Sequence, residues 1–303
     1  MDSSPISSPA SVKQVVSVDW DESTSTLGTP EDLSVAFPPP TLTDRRHTAI
    51  NAVLPVPLVD RSPSLHLYSP SPAELELLGP FREADPTFAP LPPGKLLRFL
   101  RARDLKLAPA ADNLRAHLAW HGRICPETVT AEDVGAVALG SESLKFLGFS
   151  GGGQPIIEAN VARWNPHEYD DATNELYMAY FMVECERAMR SATNTIMIFD
   201  VSAWAMWHSK HLGKLKALIG QAQTHFPERL HRVLLCEAPY LFRSVWAMLQ
   251  PFINKTTAQK IKFVQGKEQK VKALRELGIN PEDMPERLGG AKKDGDFPCP
   301  GFP

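Results

Sequence analysis

The sequence predicts an α/β protein, in which a β-sheet is covered by helices and is preceded by a small all-helical module. Two observations carry this prediction. From Glu132 onward, short apolar runs typical of strands alternate with longer segments that have helical spacing. One of these runs, at residues 194–200, is almost continuously apolar, as expected for a central strand buried on both faces.

Tails are predicted at both ends of the chain. Residues 1–70 are rich in Ser, Thr and Pro, and their acidic residues outnumber the basic ones. Such a segment cannot bury enough apolar surface to offset its ordering entropy, so we expect it to be disordered. Its Ser-Pro pairs fit kinase sites, but such pairs are common in any segment of this composition, which favours a plain solvated tail. Residues 291–303 are predicted to form a flexible C-terminal tail.

Three helices are predicted between the N-terminal tail and the sheet, over residues 71–125. A first short helix is expected over residues 72–79, followed by a proline-rich linker over residues 80–93. The next helix should span residues 94–103, and Pro109 suits the first turn of a third helix, which follows it.

The sheet domain is predicted over residues 130–290. Its expected strands and helices are residues 154–161 (strand), 170–190 (helix), 194–200 (strand), 212–224 (helix), 233–235 (strand), 240–249 (helix), 261–264 (strand) and 267–277 (helix).

Bulk properties exclude several classes of function. A net charge of -3 without a dense basic stretch argues against nucleic-acid binding. The four cysteines are far apart and lack zinc-ligand spacing, which favours reduced thiols in a cytoplasmic protein. The longest apolar runs fall short of the ~20 residues of a membrane span, and no secretory signal is expected. Any membrane contact should therefore be transient and peripheral.

A possible catalytic motif is explained by its glycines. Residues 148–152 match G-x-S-x-G, the nucleophile elbow of hydrolases, which needs a strand before the serine and a helix after it. Here the glycines and Gln154-Pro155 lead into a strand, so a tight turn accounts for them. We therefore predict that this motif is not the active site of a hydrolase.

Residues 226–266 are the most informative stretch. A polar turn at residues 226–229 enters a strand, and an apolar helix follows at residues 240–249. After it, Asn254 can cap a short helix that carries Thr257 and Lys260. An apolar helix between two polar clusters suits a site for a molecule with an apolar body and a polar head.

This stretch resembles the second half of the CRAL-TRIO lipid-binding domain of fungal phosphatidylinositol-transfer proteins. The motifs that carry the resemblance keep the order and spacing of the family, and they are Pro227–Arg229, Ala238-Pro239, Pro251-Phe252 and Thr257–Ile261. Further matches are Leu97–Arg103 with Trp120, which resemble the helical module of the family, and Leu288–Gly290, which resembles its terminating signature.

The resemblance implies a mixed sheet, a hydrophobic pocket closed by a gate helix, and non-enzymatic binding and intermembrane transfer of lipid, foremost phosphatidylinositol. The residues implied in headgroup binding are Arg103, Glu228, Thr257 and Lys260. Their chemistry fits, because Arg offers a forked donor array for a phosphate, Lys a point charge and Thr a hydroxyl. A plain surface salt-bridge cluster is the alternative. Asp104 stands where headgroup-binding relatives often have a second basic residue.

The pocket is expected between the sheet and the helix at residues 240–249, which should act as the gate and touch the bilayer. The residues expected to line the pocket and gate are Phe199, Val201, Leu235, Phe242, Val245, Trp246 and Leu249. The phosphatidylcholine site of the family looks less complete, because Ile157 and Met197 replace polar residues there.

Other ligands and partners stay open. The alternative function is a carrier of another hydrophobic ligand: a sterol, a tocopherol-like compound or haem, since some fungal relatives are haem proteins. His117 and His121, and His208 and His211, are about one helical turn apart, but no third ligand is near in sequence, so we predict surface histidines. The resemblance also implies a monomer without cofactors or metals that could present lipid to a lipid kinase.

Overall fold

A five-stranded sheet forms the centre of the protein. The computed structural model describes residues 65–168, 170–189 and 191–297, which all fall within one compact unit. In order across the sheet, the strands are β1 (Leu144–Phe149), β2 (Pro155–Asn160), β3 (Thr195–Asp200), β4 (Leu230–Cys236) and β5 (Ile261–Val264). β1 pairs with β2 in an antiparallel hairpin and the other pairs are parallel, which confirms the predicted mixed sheet.

Helices connect the parallel strands to one another, and other helices form the N-terminal module. The α-helices of the described residues are α1 (Pro72–Glu83), α2 (Pro93–Arg101), α3 (Leu107–Ile124), α4 (Ala131–Val134), α5 (Ala136–Gly140), α6 (Asp171–Ala188), α7 (Leu212–His225), α8 (Phe242–Leu249), α9 (Lys255–Ala258) and α10 (Gly266–Glu276). Within the ranges that the structure describes, no helix combines the length and the apolar character that crossing a bilayer requires.

The first helix is longer than the sequence predicts. A capping box of Ser71 and Glu74 starts α1, and the helix continues through Pro80 to Glu83 instead of ending at residue 79. A proline inside a helix removes one backbone hydrogen bond. Here Phe81 is fully buried against Phe88, and this packing outweighs the missing bond.

The pleat of the sheet divides its residues between two environments. Ile156, Ile196 and Leu234 pack on the side of the sheet that α10 and the C-terminal segment cover. Their neighbours in sequence, such as Ile157 and Met197, point to the opposite side, where α6, α7 and α8 lie. Because successive side chains of a strand alternate between faces, residue parity decides which environment each one meets.

The two predicted tails differ in outcome. Residues 1–64 lie outside the described residues, and the segment just after them forms a 3-10 turn at Leu65–Tyr68 with Tyr68 buried. At the other end, Phe297 is only 8% exposed and packs in the core on the α10 side. Asp294 forms an ion pair with Arg287. The predicted flexible tail is therefore packed at least as far as Phe297, because an apolar side chain is available to complete the core.

Candidate functional site

A cavity of about 300 Å³ lies between one face of the sheet and helices α6, α7 and α8. This volume is within the range of about 300–1,000 Å³ that is common for ligand sites in proteins. Of the pocket residues expected from sequence, six line the cavity: Phe199, Val201, Leu235, Phe242, Trp246 and Leu249. The seventh, Val245, is buried and packs with Val201 and Leu235 in the apolar cluster beneath α8.

The cavity runs the length of the sheet. Leu230, Ile253 and Thr257 line it near the amino ends of the parallel strands, and Val161 and Trp204 near their carboxyl ends. A strand of six residues spans about 20 Å. The space is therefore elongated along the strands and suits an elongated ligand.

Two polar side chains on the cavity wall are already hydrogen-bonded within the protein. The Thr195 hydroxyl donates to the carbonyl oxygen of Arg229 at 2.9 Å, and the Asn174 amide donates to that of Asp170 at 3.1 Å. Ile157 and Met197, which are partners in the β2–β3 register, present apolar side chains to the same space. The wall therefore favours an apolar ligand.

Helix α7 forms a loosely packed wall of the cavity. None of its residues is fully buried, and Leu215, Leu218 and Ile219 line the open space. Near its C-terminal end, the side-chain amide of Gln223 makes two hydrogen bonds of 2.8 Å. Its nitrogen donates to the carbonyl oxygen of Phe252, and its oxygen accepts from the backbone N–H of Asn254. One side chain thus ties α7 to the segment that follows α8.

Two of the predicted headgroup residues form an ion pair at the amino-terminal edge of the sheet. Glu228 lies just before β4 and Lys260 just before β5, so the parallel pairing of these strands brings them together. The Lys260 Nζ is 3.8 Å from a carboxylate oxygen of Glu228, and both side chains are about one quarter exposed. Glu228 has a φ of +58°, a left-handed conformation that is uncommon outside glycine and is often found at functional sites.

Thr257 connects this pair to the cavity. Asn254 caps α9 by accepting a hydrogen bond from the Thr257 amide at 2.7 Å, as the sequence predicts, and Thr257 lines the cavity. However, α9 ends at Ala258, so Lys260 does not share a helix face with Thr257, contrary to expectation. Lys260 instead lies in the turn that enters β5, where its carbonyl oxygen accepts from the Val233 amide and so fixes its position at the sheet edge.

Arg103 has other partners. Its guanidinium donates to the carbonyl oxygen of Ala102 at 2.9 Å and to Asn113 Oδ1 at 2.8 Å, both within the helical module. Burial lowers the pKa of Arg103. Among the described residues no hydrogen bond or ion pair joins Arg103 to Glu228 or Lys260, so its headgroup role stays a prediction.

Sequence reasoning missed the buried arginine network beneath the polar turn. Arg229 is 2% exposed and donates to Glu186 at 2.6 Å and to the Tyr68 hydroxyl at 2.9 Å. Arg98, also 2% exposed, donates to the carbonyl oxygen of Pro227 at 3.2 Å. Burial acts against the charged form of Glu186, but the two arginines keep its pKa below the usual value. The Pro227–Arg229 motif was the sequence feature that could have indicated this network, because its arginine anchors the turn that presents Glu228.

Residues 150–154 form the turn of the β1–β2 hairpin, so the predicted tight turn begins inside the 148–152 motif, whose first two residues belong to β1. The Ser150 hydroxyl is hydrogen-bonded to Gln154, and the chain enters β2 at Pro155 rather than a helix. This geometry does not present Ser150 as a nucleophile elbow would.

The prediction of surface histidines is wrong for two of them. His117 is 5% exposed and lies among the rings of Phe99, Trp120 and His225. His208 is 2% exposed and stacks on a tryptophan ring 3.7 Å away. Each ring packs against aromatic neighbours, which a helical spacing alone does not reveal.

Comparisons with known proteins agree with this geometry. Residues 146–290 match the model of the CRAL/TRIO domain. Patellin-6 of Arabidopsis thaliana is 24% identical over 66% of this chain and 51% of its own length. The phosphatidylinositol transfer protein CSR1 of Eremothecium gossypii is 26% identical over 66% of this chain and 47% of its own. The chain thus spans about half the length of the curated relatives it matches.

Among solved structures, the crystal structure of Sfh5 has the same fold, with a TM-score of 0.54, 18% identity, and coverage of 66% of this chain and 70% of that chain. Proteins of this family generally bind and transfer lipids. The sheet topology and the apolar cavity agree with this match: residues 146–290 of the chain are similar to the CRAL/TRIO domain.

Proposed function

We propose that the protein binds phosphatidylinositol without catalysing a reaction and exchanges it between membranes. The observation that carries the proposal is the elongated apolar cavity, one end of which reaches Thr257 beside the Glu228–Lys260 pair. Acyl chains would occupy the cavity and the inositol phosphate would lie at the pair. The similarity to a phosphatidylinositol transfer protein supports the same ligand class.

The charges at the polar end suit this headgroup. The 3.8 Å separation between Lys260 and Glu228 is longer than a direct hydrogen bond, so the lysine can turn toward a phosphate oxygen. Glu228 can then accept hydrogen bonds from inositol hydroxyls, and the Thr257 hydroxyl can donate.

Energetics favour a carrier that opens only at a membrane. Each methylene contributes about 0.8 kcal/mol when buried, so exposing ~30 methylenes to water would cost on the order of 24 kcal/mol. A cavity closed by α8 shields the chains in transit, and we propose that α8 is the gate. Its outer side supports this role, since Met248 is 45% exposed and Tyr240, just before the helix, is 82% exposed.

The proposal is tested by native mass spectrometry and lipid extraction of the purified wild type and Lys260→Ala. We expect phosphatidylinositol in the wild type and its loss in the variant, because the phosphate loses its cationic partner. Lys262→Ala is the matched control, since Lys262 lies two residues further along, on β5, and pairs with Glu276 on the surface. Phosphatidylinositol retained by Lys260→Ala would contradict the headgroup site.

A carrier of another hydrophobic ligand is the second candidate. The apolar cavity wall and the engagement of Arg103 with Asn113 favour a ligand with fewer charges. The same extraction distinguishes it, because a sterol or similar compound would be found in both variants and the wild type. Bound haem would show as a Soret band.

A further inference from the structure

Two histidines from distant parts of the chain meet at the surface of the protein. His167 is exposed in the loop between β2 and α6, and the half-buried His211 immediately precedes α7. Their Nε2 atoms are 3.0 Å apart, although 44 residues separate them in sequence. This separation is why the spacing of histidines in the sequence did not reveal them. We call His167 and His211 the histidine pair.

The distance between the two ring nitrogens suits a shared metal ion. Zinc binds histidine nitrogens at about 2.0–2.1 Å, so two of them are roughly 3.3 Å apart on a tetrahedral ion and roughly 2.9 Å apart at adjacent positions of a square-planar ion. The observed 3.0 Å lies between these values. Small rotations of the two surface side chains cover the difference.

The two rings do not meet head-on. Their planes are nearly perpendicular, at 88°, and their centroids are only 4.3 Å apart. With the centroids this close, both nitrogens cannot point straight at each other across 3.0 Å, so at least one lone pair is directed away from the line that joins them. An ion placed to that side of the line is within reach of both nitrogens.

Neighbouring contacts hold the histidine pair in position. The Lys214 Nζ donates to the carbonyl oxygen of Pro166 at 2.7 Å, which ties the first turn of α7 to the loop that carries His167. The Trp207 ring lies 6.1 Å from the ring of His167 and 6.4 Å from that of His211. Both ligands are therefore brought together by the fold before an ion binds, which lowers the entropy cost of binding.

The charge around the histidine pair does not oppose a cation. Three exposed carboxylates follow the first histidine in sequence, and two lysines lie close to the second. These side chains are Glu168, Asp170 and Asp171, and Lys210 and Lys214. Asp171 lies 3.6 Å from the Lys214 Nζ and offsets its charge. The acids outnumber the lysines, so the local field does not repel a divalent ion.

From these observations we infer that the histidine pair binds a divalent transition-metal ion, with Zn²⁺ as the representative case. Neutral imidazole is a favoured ligand of zinc, copper and nickel. Among the residues that the structure describes, no group of three or more histidine, cysteine or acidic side chains could hold such an ion, so water would complete its coordination.

A bound ion would cross-link two parts of the cavity wall. Trp164, in the loop that carries His167, lines the cavity, and so does Leu215 in the first turn of α7. Because α7 is loosely packed, an ion at its start would restrict its motion. The inference goes beyond the proposed lipid exchange and does not rest on it, since neither His167 nor His211 lines the cavity.

Calorimetric titration tests the inference. The full chain, without a purification tag and freed of metal by a chelator, is titrated with Zn²⁺. We expect the wild type to bind the ion, and His167→Gln and His211→Gln to bind it at least about tenfold more weakly, since loss even of a residue that only orients a metal ligand typically costs that much. Mg²⁺, which prefers oxygen ligands, should not bind there. Both histidines lie at the surface, so the fold should tolerate the changes.

A matched control separates the histidine pair from histidines in general. His66→Gln removes an exposed histidine of the 3-10 turn at Leu65–Tyr68 and should bind Zn²⁺ like the wild type. Hydrogen exchange of peptides covering residues 164–170 and 208–216 should slow when Zn²⁺ is added to the wild type and stay unchanged in both pair variants. Zn²⁺ binding that is absent from the wild type, equal in the pair variants, or without effect on these peptides would overturn the inference.

Lipid extraction from the same preparations keeps the two proposals apart. Both pair variants should still carry the ligand of the wild type, because the cavity wall is unchanged. Zn²⁺ bound at the histidine pair of a protein without lipid would contradict the proposed function and leave the metal site standing. Bound phosphatidylinositol in a wild type that does not bind Zn²⁺ would do the reverse.

Discussion

At the scale of single residues, histidine rings pack between the helical module and the sheet domain. His225, at the end of α7, stacks on Trp120 of α3 with 4.2 Å between ring centroids. Burial, together with the charge of Arg123, lowers the pKa of His225 from 6.5 to about 4. The neutral ring is thus part of this interface.

This pKa predicts how stability depends on pH. Because the folded pKa lies below the unfolded one, the contribution of His225 is complete above pH 6.5 and is lost as the pH falls toward 4. The loss should reach about 3 kcal/mol in the free energy of unfolding. Urea unfolding across this range should show a smaller loss for His225→Phe, which keeps a stacked ring that cannot titrate. Parallel pH profiles of variant and wild type would refute the assignment.

At the scale of elements, a hydrogen-bonded contact joins α7 to the segment that follows α8. The Gln223 side chain bonds both the backbone carbonyl of Phe252 and the backbone N–H of Asn254, as the backbone of a neighbouring strand would. Since α8 ends at Leu249, this clamp fixes the C-terminal end of the proposed gate.

Breaking the clamp should loosen the gate. Each hydrogen bond contributes about 0.5–1.5 kcal/mol, so Gln223→Leu should raise local opening about tenfold. Hydrogen exchange of peptides covering residues 250–256 should be faster by that factor, and lipid exchange between vesicles should accelerate. Gln221→Leu is the matched control on the same helix, because Gln221 donates to Glu175 instead. Unchanged exchange at residues 250–256 would show that other contacts hold the gate.

At the scale of the whole molecule, the packed chain extends beyond the matched domain at both ends. Tyr68 accepts a hydrogen bond from Arg229 and lies near the amino end of the described residues. Phe297 lies seven residues past the end of the family match and completes the core next to α10.

A truncation measures the contribution of this C-terminal segment. Chains ending after Gly290 lose the Phe297 side chain, whose burial contributes about 1.5–3 kcal/mol, and lose Asp294 as a partner of Arg287. Chains ending after Phe297 keep both. We expect the shorter chain to unfold at a lower urea concentration and the longer one to match the full chain. Equal midpoints would mean that the segment adds no stability.

Sequence patterns and sequence resemblance predicted different parts of this molecule. Strand and helix periodicity located the main elements. The resemblance carried by the Pro227–Arg229 and Thr257–Ile261 motifs pointed to Glu228 and Lys260, which the fold brings together. Periodicity could not assign Val245 to the packed cluster rather than the cavity, because that depends on which neighbours a helix meets. The orientation of Arg103 and the burial of Phe297 likewise depend on contacts between distant segments.

The alternating pleat has a consequence for how such a protein can diversify. Ile157, Met197 and Phe199 line the cavity, whereas Ile156, Ile196 and Ile198 in the same strands pack in the core on the α10 side. A change of ligand preference can therefore be made at one set of positions while the stabilising set stays intact. Alternate residues of the same strands therefore determine ligand preference and stability, so substitutions can change one property and leave the other intact.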